Sequence, residues 1–181
     1  YHYGLEKKVR INTVSQSPTK TSAGTGIECF GDFFDYANAI APLHINRLVL
    51  PGMIQRGRGA LISISSASGY ADPVSPAGSG GWGLGYAMSK GAFHRLAPNL
   101  TVEYPELLFF NLEPGYVQTE RALQNAADLG LEGRYPGAPP SVPAAVIAWL
   151  ATSPDAASLN GQTITAQRVA MARASSWSCV T

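Results

Sequence analysis

Leu61-Ile62-Ser63-Ile64 runs straight into Ser65-Ser66-Ala67-Ser68-Gly69, and Tyr86-Ala87-Met88-Ser89-Lys90 follows after a loop rich in Gly, Ser and Pro. The short apolar run Ala60 to Ile64 has the signature of a strand covered on both faces, as in parallel sheets. Side chains just past the carboxyl ends of such strands line the ligand crevice of open α/β sheets. A hydroxyl there can donate to a substrate oxygen as charge develops on it. Ser65 and Ser68 read as turn caps. Tyr86 and Lys90, four apart at the start of a helix, share one face and can address one site. A phenol has a pKa of about 10 and is a poor base at neutral pH. A cation held nearby favours the phenolate, so Tyr86 can exchange a proton with an alcohol or carbonyl oxygen. A Tyr and a Lys at this spacing are by themselves common on solvated helices; the strand-end serines give the pair its meaning.

Outward from these residues, short apolar runs alternate with helical stretches, which points to an α/β layer fold. On the amino side, Val9–Val14 reads as a strand followed by a turn-rich segment, and Phe33, Tyr36, Ala37 and Ile40 fall on one helical face. After Pro42, the residues Leu48, Leu50 and Met53 indicate a helix stopped by the glycines of QRGRG. On the carboxyl side, the helix from Tyr86 to about Glu103 carries the stripe Ala92, Leu96 and Leu100. Pro98 removes the bond to the His94 carbonyl and predicts a kink. Glu106–Leu112 is a third strand, ending at Pro114-Gly115, where the backbone can approach a flat ligand. Residues 120–140 are expected to be a mobile surface segment. Ser141 reads as the N-cap of a helix from Ala144 to Thr152 with Pro143 in its first turn. Gln162–Ala166 is a last short strand, and residues 171–181 are expected to fray.

Composition narrows the classes. The 181 residues are 45% hydrophobic and 14% charged, with a formal net charge of +1. This suits a single globular domain and argues against disorder. The near-neutral balance gives no footprint for nucleic acid or an anionic membrane, and no apolar run reaches the ~20 residues that span a bilayer. The segment YHYGLEKKVR lacks the apolar core of a signal peptide, so a cytoplasmic location is expected. Cys29 and Cys179 are too few for a disulfide framework. His2, His44 and His94 have no metal-ligand spacing, and structural roles are expected for them.

The ordered set of strand-SSASG, YAMSK and strand-NLEPGYVQT resembles the carboxyl-terminal half of a short-chain dehydrogenase/reductase over roughly residues 44–166. The resemblance implies an incomplete Rossmann-like fold, doubly wound around a mainly parallel sheet. It implies a catalytic set of Ser66, Tyr86 and Lys90: Ser66 orients the substrate oxygen, Tyr86 is the proton donor or acceptor, and Lys90 holds the nicotinamide ribose and lowers the tyrosine pKa. Pro114, Gly115, Val117 and Thr119 match the segment that contacts the nicotinamide end of NAD or NADP. The implied reaction is hydride transfer between the cofactor and a small-molecule carbonyl/alcohol or enoyl substrate. It also implies a possible homo-oligomer through the helices around Leu48–Met53 and Tyr86–Glu103, with Phe93 and Leu100 in contact.

The chain departs from that pattern. The amino-terminal phosphate-binding strand, TGxxxGxG turn and helix are not found, and the match Gly78–Gly83 to G-x-G-x-x-G lies a dozen residues past its strand. Ser66 and Tyr86 are twenty apart, where about a dozen is usual. The N-N-A-G signature is absent, and the structural Asn on the helix before the serine strand has no match, Asn46 being out of place. Residues 1–43 instead resemble the strand, turn and substrate-covering helix of an enoyl-acyl-carrier-protein reductase. Three segments are therefore expected: 1–43, 44–170 and the tail 171–181. Two readings stand: an NAD(P)-dependent oxidoreductase, or a catalytically incompetent hybrid or remnant with a structural or dimerisation role.

Overall fold

Strand β2 (Leu108–Glu113) organises the molecule, because the period of two in its sequence sends alternate side chains into two different layers. Phe110 and Leu112 pack with Val146, Leu150, Ala156, Ile164 and Ala166 on one face. Phe109, with the adjacent Leu107, packs with Leu50, Met53 and Ala97 on the other. Each fully buried side chain of this size contributes about 1.5–3 kcal/mol. The computed structural model describes residues 36–77, 81–128, 130–134 and 136–177. The expected strand Val9–Val14 and Phe33 lie outside the described residues.

Strand β1 (Ala60–Ile64) and β3 (Thr163–Thr165) flank β2, and all pairing is parallel in the order β1-β2-β3. Ala60 lies opposite Leu108, Ile64 opposite Leu112 and Asn111 opposite Thr163. Strand β1 is covered on both faces, Ala60, Ile62 and Ile64 packing on one cluster and Leu61 on the other, yet every one of its residues is only partly buried. Among the described residues β1 pairs on one edge only, so its side chains share less of the core. Asn160 extends the ladder in place of a strand: its side chain accepts from the Phe109 N–H and donates to the Leu107 carbonyl.

Helix α1 (Ala41–Arg56) starts with Pro42 in its first turn, where no N–H is needed, and stops at Gly57, whose left-handed φ of 62° lets its N–H cap the last carbonyls. It follows a π-helical turn, Tyr36–Ile40, and passes through Leu43 and His44 without a break. In that turn Tyr36 and Ile40 are exposed and Asn38 is buried, the reverse of the expected apolar face. Helices α2 (Leu84–His94) and α3 (Leu96–Glu103) replace the single helix expected from Tyr86 to Glu103. The kink expected from Pro98 falls at Arg95, and the His94 carbonyl accepts instead from Asn111 Nδ2 at 2.7 Å. The break re-phases the stripe: Ala92 is exposed and Ala97 is buried.

Three further expectations are corrected. Residues 120–140 hold a helix, α4 (Glu120–Asp128), capped by the Thr119 hydroxyl, which accepts from the Ala122 N–H at 3.1 Å. Helix α5 (Ser141–Thr152) already includes Ser141 and begins after Pro140 without a side-chain cap. Of the tail expected to fray, residues 171–177 are helical as part of α6 (Ala166–Trp177), anchored where Arg173 lies 4.0 Å over the Trp149 ring, and residues 178–181 lie outside the described residues. Of the residues expected at a subunit contact, only Leu48 is exposed. Met53 is in the core, Leu100 packs against it, and Phe93 lies under the Lys90 ammonium.

Candidate active site

Close backbone packing assembles the site. A 3-10 turn at Ala67–Gly69 leaves the end of β1 and rests on α2. A Cβ on Gly69 would lie 2.6 Å from the Lys90 carbonyl oxygen, so only glycine lets the serine turn sit this close to the helix. Ser66 caps the turn: its hydroxyl accepts from the Ser68 N–H at 3.3 Å and the Ser68 hydroxyl at 3.0 Å. Ser66 and Ser68 both hydrogen-bond the Tyr86 phenol. The structure thus unites Ser66 with Tyr86 despite the long loop between them. That loop folds back on itself, Gly81 pairing with Ala77 and donating its N–H to the Pro76 carbonyl. It enters α2 from a coil and not from a strand. Ser68, expected only to cap, belongs to the hydroxyl cluster.

Lys90 is buried beside them. Its Nζ donates to the Ile64 carbonyl at the end of β1 at 2.8 Å, lies 5.0 Å from the Phe93 ring centroid and 6.0 Å from that of Tyr86. Burial lowers the ammonium pKa to about 8. Burial likewise pushes the Tyr86 phenol up; its bonds with Ser66 and Ser68 pull it down, and the Glu113 charge adds to the rise. The net direction for the Tyr86 phenol is upward, against the lowering expected from a neighbouring cation. Desolvation outweighs every attraction to the phenolate.

The residue that sequence reading missed is Asn38. It is 2% exposed, and its Nδ2 donates to Ser89 Oγ at 2.9 Å, while that hydroxyl donates to the Tyr86 carbonyl at 2.9 Å. Asn38, not Asn46, is thus the asparagine that ties the helix ahead of the serine strand to the helix of Tyr86 and Lys90. Its signal is a lone amide in an apolar run, on the face opposite the stripe of Tyr36, Ala37 and Ile40. π-helical turns of this kind recur at functional sites.

Ser65 and His94 stay structural. His94 Nδ1 is 2.9 Å from Ser65 Oγ, its Nε2 is 3.2 Å from Thr163 Oγ1, and its ring lies 4.8 Å from that of Tyr70. Burial lowers its pKa, and the Arg95 charge lowers it further.

At the end of β2 the Pro114–Thr119 segment forms a separate wall. Gly115 has a φ of 71° and donates its N–H to Glu113 Oε1 at 2.8 Å. Val117 bridges to Ala138, and the Tyr116 hydroxyl donates to the Ala122 carbonyl at 3.1 Å, tying α4 to the segment. Thr119 is exposed and engaged as the α4 cap. Among the described residues no group of three or more His, Cys, Asp or Glu side chains could hold a metal, and no helix is long and apolar enough to cross a membrane.

A family model described as short chain dehydrogenase matches residues 8–129, more than half of the chain. A short chain dehydrogenase of Pseudocercospora fijiensis (strain CIRAD86) is 37% identical over 86 residues, covering 46% of this chain and 25% of that protein. Dehydrogenase/reductase SDR family member 7 of Mus musculus is 28% identical over 116 residues, covering 62% of this chain and 32% of that protein. The chain thus spans between a quarter and a third of the length of these relatives. Among solved structures, the angucycline C-6 ketoreductase LanV with bound NADP superposes with a TM-score of 0.62 at 25% identity, over 80% of this chain and 56% of that one. A 4-hydroxyisoleucine dehydrogenase complexed with NADH and succinate gives 0.58 at 20% identity, over 74% and 57%, a likeness of fold.

Proposed function

The chain belongs to the short-chain dehydrogenase family, and from that premise we propose that it carries the catalytic half of an NAD- or NADP-dependent oxidoreductase acting on a small carbonyl/alcohol or enoyl substrate. The observation that carries this reading is the half-buried Tyr86 phenol, hydrogen-bonded to two strand-end serines, with the buried Lys90 ammonium one turn along the same helix. The described residues fit the nicotinamide end of a dinucleotide: the crevice at the ends of parallel strands, Lys90, and the Pro114–Val117 turn. They include no glycine-rich turn leading a strand directly into a helix, the usual seat of a pyrophosphate.

A bound nicotinamide supplies the hydride chemistry. The chain's own residues handle the proton. Ser66 holds the substrate oxygen by turning its one hydroxyl proton to it, and Ser68, donating to Ser66 Oγ at 3.0 Å, keeps that hydroxyl in place. Tyr86 Oη gives its proton to that oxygen as negative charge builds there, so the O–H bond of the phenol breaks as that of the alcohol forms. The raised phenol pKa keeps Tyr86 protonated and ready to donate at neutral pH. The resulting phenolate is stabilised by the Lys90 ammonium one turn along the helix, whose positive charge acts strongly in a buried setting. Asn38, through Ser89, fixes the first turn of the helix on which Tyr86 stands.

The same reading places the protein in the cytoplasm, with the pool of soluble nicotinamide nucleotides. It takes residues 1–43 as the enoyl-reductase-like strand, turn and helix. It also pairs two copies through α1 and the α2–α3 helices, whose outward large apolar side chains are Leu43, Leu48, Ile54, Leu84, Met88 and Val102. Sedimentation at high micromolar concentration tests the pairing, and a monomer there rejects it. The activity is tested by titrating the chain with NADH and NADPH and assaying carbonyl reduction. Saturable micromolar binding, with turnover lost in Tyr86→Phe, upholds the reading. No binding at millimolar nucleotide favours a non-catalytic remnant of the fold.

A further inference from the structure

Helix α6 starts immediately after β3, which brings Gln167 alongside the end of β2. Its Nε2 donates to two carbonyls, Pro114 at 3.3 Å and Tyr116 at 3.1 Å, on either side of Gly115. A Cβ on Gly115 would fall 2.4 Å from that same nitrogen, so the amide fills the space that the missing side chain leaves. The Tyr116 carbonyl also accepts from the Ala138 N–H at 3.0 Å, and Gln118 donates its N–H to the Ala138 carbonyl at 2.9 Å. Because a trans peptide sets C=O and N–H in opposite directions, holding the Tyr116 carbonyl towards α6 turns the Val117 N–H away from it. One glutamine from the last helix therefore fixes both peptide planes of a turn some fifty residues earlier in the chain.

We propose that Gln167 is a positioning residue: paired with Gly115, it latches the turn after β2 in the orientation that receives the nicotinamide end of the cofactor. The role of the latch in cofactor binding rests on the oxidoreductase reading above; the latch itself does not. Gln167→Met, of similar length and without a donor, separates the two. In the full chain without nucleotide, amide exchange at Gly115, Gln118 and Ala138 is expected to quicken at least tenfold, with Asn111 in β2 unchanged. The same variant is expected to weaken NADH about tenfold while leaving ADP-ribose, which lacks the nicotinamide, within twofold. Unchanged exchange at the three amides overturns the latch. Faster exchange with NADH and ADP-ribose weakened equally reduces Gln167 to a structural residue and overturns the positioning role. If the unsubstituted chain binds neither nucleotide, the oxidoreductase reading fails, and the exchange result alone decides the latch.

Discussion

The ends of β1 and β2 are neighbours in one sheet, yet they are held by different means. At β1 the serine turn is pressed against α2 backbone to backbone, and its polar groups, Ser66, Ser68, Tyr86 and Lys90, are drawn into a half-buried cluster. At β2 the turn is suspended by side-chain amides and carboxylates, Gln167 and Glu113, and continues into the exposed helix α4. A contact between rigid backbones cannot yield without moving a whole helix. A contact with the end of a glutamine can yield by a change of rotamer. The site thus has one wall that is fixed and one that can adjust, and the proton-transferring groups stand on the fixed one.

The largest expected effect concerns the charge buried in the fixed wall. Lys90 titrates at about 8 in the folded chain against 10.5 for the ordinary side chain. The folded state therefore binds fewer protons than the unfolded state between these values, and stability rises with pH across that window. The cost of the buried ammonium is fully present below about pH 8 and amounts to roughly 3 kcal/mol, at ~1.4 kcal/mol for each pH unit. Lys90→Met should remove that slope and stabilise the chain at pH 7 by about 2 kcal/mol, after about 1 kcal/mol is lost at the Ile64 carbonyl. Urea denaturation at pH 7 and pH 9.5 reads both; a wild-type profile flat in pH would break this side of the comparison.

The two glycines come next. Gly69→Ala drives a methyl into the Lys90 backbone carbonyl and should cost about 2–3 kcal/mol, as overpacking against an unyielding neighbour does. Gly115→Ala meets only the Gln167 side chain but also adopts a left-handed φ, for about 1–2 kcal/mol. Equal losses in denaturant midpoint for the two variants would contradict the contrast between the walls. The smallest effect belongs to the exposed end of the adjustable wall. Thr119→Ala removes the α4 cap and should cost about 0.5–1 kcal/mol, seen as faster amide exchange at Ala122 and Leu123 with β1 untouched.

Local chemistry explains which parts of this arrangement were legible. The stop of α1 at Gly57 follows from a residue that accepts left-handed φ, and the break near Pro98 from a residue that has no N–H. The places of β1, β2 and β3 follow from short runs bounded by turn residues, but β2 begins two residues later than Glu106 and β3 keeps only Thr163–Thr165 of the expected Gln162–Ala166. The pairing of Ser66 with Tyr86 and Lys90 was legible as an ordered set of motifs, each at a strand or helix end. Helix α4 was not, because ERALQNAAD buries no side chain, and its order comes from Thr119 and from Tyr116 reaching Ala122. Asn38 was not legible either, because the apolar pattern around it does not reveal that α2 lies behind it.

The amino-acid sequence by itself determined the three strands, helices α1 and α5, their order and the residue types at each strand end, since these depend on backbone preference and on the period of apolar side chains within a few residues. Tertiary structure alone decided that Ser68 joins Ser66, that Asn38 holds Ser89, that Gln167 fills the place over Gly115, and that burial raises the Tyr86 phenol while lowering the Lys90 ammonium. Those outcomes depend on which groups meet across long stretches of chain and on how much water is left between them, and no local pattern encodes either.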